Sequence, residues 1–151
     1  MRIEKLGTKN LIGYSITTSN EDEKSPASAK IPGLWGTFFN EIHMRELRGE
    51  TVYGVYSDYE SGQDGRYRLT AAVEKGDNAS TRGAIKELRL EAGRYVIFSG
   101  MRGEGNPVLD LWKEVWAHFG KTGGKDQRLF STDFEVFHPD GKIELCISIR
   151  E

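Results

Sequence analysis

Two segments of the chain repeat apolar residues at the spacing of an amphipathic α-helix. Each begins with a Leu-Trp pair, at Leu34 and at Leu111, and continues with apolar residues four, five and eight positions after the leucine. This spacing gives each segment one apolar and one polar face. The segments lie 77 residues apart, so the pattern predicts two equivalent helices, at residues 34–42 and 111–119, in a duplicated chain.

Aromatic and β-branched residues follow each helix and predict strands. These segments are residues 52–56 and 129–137, and a glycine-containing turn follows each of them. Because such turns between strand-like runs are typical of hairpins, we expect partner strands at residues 67–73 and 143–149.

Similar segments also precede both helices, which extends the repeat toward the start of each half. Residues 3–6 resemble residues 85–88, and residues 13–16 resemble residues 94–97. The first half has a longer polar loop, residues 19–30, which we expect to be exposed and mobile.

The duplication predicts a single α+β domain over residues 1–151, with pseudo-repeats at about 1–76 and 82–151. Each half is a strand-helix-strand-strand module preceded by an extra strand, and a short link at residues 76–83 joins the halves. We expect a mostly antiparallel, twisted sheet with two main helices and pseudo-twofold symmetry. A cleft is expected where the two halves meet.

Composition narrows the classes of function. The 151 residues carry 21 Lys and Arg against 23 Asp and Glu, a net charge of −2, so direct DNA binding through a basic surface is not expected. Apolar runs stop at about four residues, far short of a membrane span, and residues 1–5 lack the apolar run of a signal peptide. With a single cysteine, we expect a cytoplasmic protein. Aromatic residues make up 11% of the chain, which suits either an aromatic core or a lined pocket.

Several catalytic chemistries find no support in the pattern. His43, His118, His138 and Cys146 lack the spacing of a metal site, so we expect neither metal nor cofactor, and no catalytic residue is assigned. Residues 100–105 read Gly-Met-Arg-Gly-Glu-Gly between a strand and a helix, but this order differs from the dinucleotide-binding fingerprint. A flexible connection at the rim of a pocket is the better interpretation.

Glu135 is the most informative polar residue. It lies within the aromatic run Phe134 to Phe137, and alternation puts it on one face with Asp133 and Phe137. Either that face is exposed to solvent, or the carboxylate lies at the floor of an aromatic cleft. The second arrangement suits cationic, hydrophobic ligands, because aromatic faces and a desolvated carboxylate both attract cations.

Tryptophans provide the candidate walls of this cleft. Trp35 and Trp112 hold equivalent positions on the two helices, so pseudo-twofold symmetry would bring both near its axis. We expect them to line the pocket and expect Trp116 to lie in the core. The candidate ligand-binding residues are Glu135, Trp35, Trp112, Tyr53, Phe38, Tyr95, Phe98 and Phe137.

Three segments resemble a known family. They are Val-Tyr-Gly-Val-Tyr at residues 52–56, Leu-Glu-Ala-Gly-Arg-Tyr-Val-Ile-Phe at 90–98 and Asp-Phe-Glu-Val-Phe at 133–137. They are similar to the GyrI-like effector-binding domains, which also end AraC-type regulators of the Rob kind and drug-sensing regulators such as BmrR. The helix from Leu34 and the segment 53–61 are most similar to stand-alone, integron-associated effector-binding proteins.

The resemblance implies two strand-helix-strand-strand modules that build a bent antiparallel sheet around a central ligand cleft. It implies that Glu135 is the ligand-facing acid. In the regulators the domain follows a DNA-binding part; here residues 1–9 lead directly into the first strand, so we expect no such part. Phe137 stands where relatives often carry tyrosine.

Three functions remain open on these grounds. The first is binding of amphipathic, cationic, drug-like molecules, as a sequestrant or a sensor. The second is hydrolysis of strained cyclopropane-type compounds with Glu135 as general base, assisted by the hydroxyls of Tyr53 or Tyr95. The third is a protein-binding module that inhibits a partner such as DNA gyrase. The binding function accounts for the aromatic residues and the carboxylate with the fewest assumptions.

Overall fold

The protein, a computed structural model, folds into an α+β arrangement of eight strands and three helices within the residues that the structure describes. These are residues 1–41, 50–62, 64–75, 86–103, 105–121 and 127–151. The elements are β1 (Arg2–Leu6), β2 (Lys9–Ser19), α1 (Asn20–Glu23), α2 (Ile31–Glu41), β3 (Val52–Ser57), β4 (Arg66–Glu74), β5 (Lys86–Leu90), β6 (Gly93–Met101), α3 (Pro107–Lys121), β7 (Thr132–Phe137) and β8 (Lys142–Ile149). The link at 76–83 and His43 lie outside the described residues. None of the helices in the described ranges is long and apolar enough to cross a membrane.

The strands form one antiparallel sheet in the order β1-β6-β8-β7-β3-β4-β2-β5. The two modules predicted from the sequence are β2-α2-β3-β4 and β6-α3-β7-β8, and they meet at the pairing of β3 with β7. The extra strands are exchanged: β1 pairs with β6 of the second module, and β5 pairs with β2 of the first. The α+β fold class and the duplicated, bent antiparallel sheet are therefore confirmed.

One face of the sheet closes on itself. A buried cluster joins residues from β2 and β5 at one end of the sheet to residues from β6 near the other end, among them Leu11, Leu90 and Tyr95. Strands so far apart in the sheet order share a core only if the sheet curls, and it forms a half-barrel around this cluster.

The two long helices cover the other face, on either side of the β3–β7 junction. Helix α2 buries Leu34 and Phe38 against β2 and β4 of the first module. Helix α3 buries Leu111 and Val115 against β6 and β8 of the second. The apolar spacing of each helix thus packs it on its own module, which places the junction between the helices.

The polar loop at 19–30 is more ordered than its composition indicates. Its first part is helix α1, which Ser19 caps by accepting a hydrogen bond from the backbone N–H of Asp22 at 3.1 Å. Glu23 then accepts from the backbone N–H groups of Lys30 and Ile31 at 2.9 and 3.1 Å. These bonds fasten the loop to the first turn of α2, where carboxylates are favourable.

Candidate functional site

Glu135 lies at the junction of the two modules, on the face that the helices cover. It is in β7, directly opposite Gly54 of β3, and only 3% of its surface is exposed. Its Oε2 accepts hydrogen bonds from the hydroxyl of Tyr56 at 2.8 Å and from Nε1 of Trp112 at 2.9 Å. The carboxylate therefore receives one bond from the first module and one from helix α3 of the second.

Gly54 makes room for this carboxylate. A Cβ at position 54 would lie 2.6 Å from Oε1 of Glu135 and 3.3 Å from Cζ2 of Trp35. The carboxylate thus fits between the β3 backbone, Trp35 and Trp112 only because residue 54 has no side chain. Phe137 completes this side of the site, with its ring centroid 5.7 Å from that of Trp35.

Burial and hydrogen bonding act in opposite directions on Glu135. Desolvation raises the pKa of its carboxyl group, while the bonds from Trp112 and Tyr56 lower it, and the net direction is upward. Burial, together with the neighbouring carboxylate, holds the pKa of Tyr56 well above its ordinary value. The hydroxyl of Tyr56 therefore stays protonated at neutral pH and donates a hydrogen bond to Glu135.

A cavity of about 240 Å³ opens beside Glu135, in front of the two groups that bind it. Five aromatic side chains line it, and the remaining lining residues come from α1, the start of α2, the start of α3 and the segment before β7. The lining residues are Tyr56, Tyr59, Tyr67, Trp112, Trp116, Asn20, Glu23, Ile31, Asn106, Val108, Leu109 and Arg128. Both modules contribute, as expected for a cleft where they meet.

The three tyrosines that line the cavity donate their hydroxyl hydrogen bonds to residues of the surrounding wall rather than into the cavity. Tyr56 donates to Glu135, Tyr59 donates to Asp133 at 2.6 Å, and Tyr67 donates to Asn20 at 3.1 Å. Because each hydroxyl has one proton, these bonds leave ring faces and oxygen lone pairs for a ligand. The tyrosine side of the cavity therefore offers groups that attract cations and few that donate hydrogen bonds.

Behind Tyr59 lies a buried ion pair. Nη2 of Arg128 is 2.9 Å from Oδ2 of Asp133, and the two side chains are 5% and 0% exposed. Asp133 also accepts from the backbone N–H and the hydroxyl of Ser148, at 2.8 and 3.1 Å. This network fixes the position of Arg128 at the cavity wall.

Carboxylates outnumber cations around the cavity. Glu135 and Asp133 lie directly behind its wall and Glu23 lines it, whereas Arg128 is the cation among the described lining residues. Among the described residues, Glu23 accepts from the hydroxyl of Thr18 and from two backbone N–H groups. Glu135 accepts from Tyr56 and Trp112, so neither carboxylate is paired with a cationic side chain there. An amphipathic cation would supply that missing positive charge.

The structure brings four of the eight predicted site residues together. Glu135, Trp35, Trp112 and Phe137 meet at the module junction, and Trp112 lines the cavity itself. By contrast, Phe38 is buried between its own helix α2 and the sheet, and Phe98 is buried beneath α3.

Tyr53 and Tyr95 lie on the opposite face of the sheet from Glu135. Alternation along β3 turns Tyr53 away because its neighbour Gly54 is the residue that pairs with Glu135. Both tyrosines belong to the core of the half-barrel and line a second cavity of about 280 Å³ there. They are therefore not placed to assist chemistry at Glu135.

Sequence reasoning missed several cavity residues, and Trp35, which was expected to line the pocket, lies on the side of Glu135 next to Gly54 and is not among the cavity-lining residues. Trp116 was expected in the core, but it is 40% exposed and lines the cavity beside Trp112, with the ring centroids 6.2 Å apart. Tyr56 was missed because tyrosines three positions apart in a strand point to opposite faces, and only the pairing of β3 with β7 shows which one meets Glu135. No sequence pattern indicated Arg128.

Metal chemistry has no obvious ligand set here. Within the described ranges, no three His, Cys, Asp or Glu side chains lie close enough together to hold a metal ion.

Comparison with known proteins agrees with this fold. Residues 1–150 match the GyrI-like small molecule binding domain, so the chain belongs to the GyrI-like family. No curated protein sequence matches the chain significantly.

Solved structures show the same architecture. An integron cassette protein from the mobile metagenome of Vibrio cholerae is 29% identical, with a TM-score of 0.88 over 99% of this chain and 95% of that one. SAV2435, solved bound to tetraphenylphosphonium, is 17% identical, with a TM-score of 0.73 over 99% and 93%. The C-terminal domain of EcmrR is 10% identical, with a TM-score of 0.59 over 99% and 96%. At the last two identities the likeness shows the fold alone.

Proposed function

We propose that this protein binds amphipathic, cationic small molecules in the cavity between its two modules. The observation that carries the proposal is the buried carboxylate of Glu135, whose described hydrogen-bond donors, Tyr56 and Trp112, are neutral groups at the cavity wall. The family's small-molecule binding supports this proposal.

The ligand's positive charge lies against the rings of Tyr56 and Trp112, with Glu135 behind them. Each aromatic face contributes about 0.5–2 kcal/mol to cation binding. A carboxylate roughly 5–6 Å from the cation adds on the order of 3 kcal/mol at an effective dielectric of about 20. Together these contributions make charge, rather than shape alone, the main basis of selection.

The test compares a cation with a neutral molecule of nearly the same shape. Methyltriphenylphosphonium and triphenylphosphine oxide form such a pair, and their Kd values are measured by calorimetry and by fluorescence of the cavity tryptophans. We expect the cation to bind at least about tenfold more tightly than the oxide. In Glu135→Gln, which preserves the size of the side chain, this preference should fall to the part that the aromatic rings contribute.

Two tyrosine variants provide a matched control. Tyr56→Phe removes a hydrogen bond to Glu135 at the cavity wall, whereas Tyr53→Phe alters a tyrosine on the opposite face of the sheet. Tyr56→Phe should change cation affinity and Tyr53→Phe should not. Equal binding of both probes by the wild type would refute selection by charge, and binding of neither would refute the function.

A further inference from the structure

Arg128 is the one feature of the cavity wall that cation binding leaves unexplained. It lines the cavity, its side chain is only 5% exposed, and its Nε has no hydrogen-bond partner among the described residues. Buried donors without partners are rare and costly in folded proteins. Such a donor at a cavity wall indicates an acceptor that arrives with the ligand.

The surroundings of Arg128 hold its guanidinium in a fixed orientation. Its Cζ is 4.1 Å from the ring centroid of Phe130 and 5.9 Å from those of Trp112 and Phe119. Aromatic faces cannot accept all five N–H donors of a guanidinium, which point outward in its plane. The rings therefore position the group without satisfying it.

Asp133 accounts for only part of this donor capacity. It receives Nη2 of Arg128, and it also accepts from Tyr59 and twice from Ser148. Because three of these four bonds come from other residues, Asp133 does not depend on Arg128 for its solvation. The remaining donors of Arg128 can thus serve a ligand while the ion pair persists.

Trp112 contacts both charged groups of the site. Its Nε1 is bonded to Glu135 at 2.9 Å, and its ring centroid lies 5.9 Å from the guanidinium carbon of Arg128. A ligand that packs against Trp112 is consequently close to both a carboxylate and a guanidinium.

We propose that Arg128 is a specificity-determining residue that binds an oxyanion of the ligand, so that the cavity favours zwitterionic aromatic molecules with a cation at one end and a carboxylate-like group at the other. The inference rests on the proposed function, because it assumes that the cationic end lies near Glu135. It adds the class of the second group and the residue that recognises it.

The experiment uses the full chain and two matched probes. Benzyltrimethylammonium carries only the cation, and its para-carboxylate derivative, (4-carboxybenzyl)trimethylammonium, is the zwitterion. In the wild type the zwitterion should bind as tightly as the parent cation or more tightly. In Arg128→Met, the zwitterion should bind about tenfold more weakly, a loss typical of a charge-assisted hydrogen bond, while the parent cation should bind equally or more tightly because a repelling charge is gone.

Because Arg128→Met should affect the two probes in opposite directions, the experiment distinguishes recognition of the ligand's oxyanion from structural damage to the cavity. A variant that only disturbs the cavity weakens both probes alike, which would overturn the proposal, and Arg128→Lys should retain part of the preference for the zwitterion. If Arg128→Met does not fold, the wild type still decides: a zwitterion bound more than about tenfold more weakly than the parent cation overturns the proposal.

The outcomes also separate this inference from the proposed function. If the parent cation binds in a Glu135-dependent manner but Arg128 does not affect the zwitterion, the inference alone fails. If neither probe binds the wild type, both fail.

Discussion

Gly54→Ala tests whether the carboxylate of Glu135 governs ligand binding. The new Cβ would lie 2.6 Å from Oε1 of Glu135, so the carboxylate must withdraw by about 0.8 Å to reach ordinary contact at 3.4 Å. The clashing atom ends a flexible side chain rather than belonging to the backbone, so the strand can remain in place. We expect the side chain of Glu135 to move.

That movement should reduce both ligand affinity and stability. The two hydrogen bonds to Oε2, at 2.8 and 2.9 Å, cannot both keep their geometry after such a shift, and bonds to charged groups contribute about 1.5–3 kcal/mol each. Replacing glycine within a strand recovers roughly 0.5–1 kcal/mol of backbone entropy. We therefore expect tetraphenylphosphonium affinity to fall by about tenfold or more, and the unfolding free energy to fall by roughly 0.5–2.5 kcal/mol if one of the two bonds is lost.

The assay is a double-mutant cycle. Calorimetry gives the Kd of tetraphenylphosphonium for the wild type, Gly54→Ala, Glu135→Gln and the double variant, and chemical denaturation gives the stability of each. If Gly54→Ala acts through the carboxylate, its effect on affinity should largely vanish in the Glu135→Gln background. An undiminished effect there would refute the reasoning, as would an unchanged affinity in Gly54→Ala alone.

Three further changes have defined expected outcomes. Cation affinity should fall as the pH drops through the raised pKa of Glu135, by about tenfold per pH unit once the acid is protonated. The cation affinity of Glu135→Gln, measured by calorimetry, should not vary across this range. A flat profile in the wild type would contradict the role of Glu135 in cation binding. Trp112→Phe removes a hydrogen bond that lowers this pKa, so the pH midpoint for loss of binding should rise, whereas Trp116→Phe, which leaves that bond intact, should not move it. Gly13→Ala places a Cβ 1.9 Å from a backbone oxygen of β4. It should lower the unfolding free energy, measured by chemical denaturation, by about 3 kcal/mol or more. Gly33→Ala is the control: its Cβ has no atom within 4 Å, so the substitution should be neutral or stabilising.

The protonation of Glu135 also affects stability, with a sign that can be checked in the same experiments. Its pKa is raised in the folded state, so the folded chain holds this proton at pH values where the unfolded chain has released it. The contribution of this group to stability therefore increases as the pH falls toward its ordinary pKa and is lost as the pH rises through the raised value. Glu135→Gln should accordingly be more stable than the wild type at neutral pH.

The order of secondary structure elements was largely available from the sequence. Apolar spacing from Leu34 and Leu111 predicted both long helices, and runs of aromatic and β-branched residues predicted β3, β7 and their partner strands. These are local properties, because the period of the apolar residues follows from the geometry of a helix or a strand. Phe130 is an exception: it was expected within a strand but precedes β7, with a φ of 53°.

The candidate site was only partly available from the sequence. Glu135 and the two equivalent tryptophans, Trp35 and Trp112, are brought together in the structure. Their selection depended on the duplication and on a carboxylate placed among aromatic residues, both of which can be seen along the chain. Tyr53 and Tyr95 were selected as aromatic strand residues, with no information on which face of the sheet each would occupy.

The sequence by itself thus determined the duplicated α+β domain, its family resemblance and the acid at its centre. Only the tertiary structure decided that Tyr56, rather than Tyr53, meets Glu135, and that Arg128 lies over the ring of Trp112. The reason is physical: alternation fixes which residues of one strand share a face, but the pairing register decides what they face on the next strand. Tyr56 and Glu135 are 79 residues apart, so their contact depends on how the two modules pair at β3 and β7.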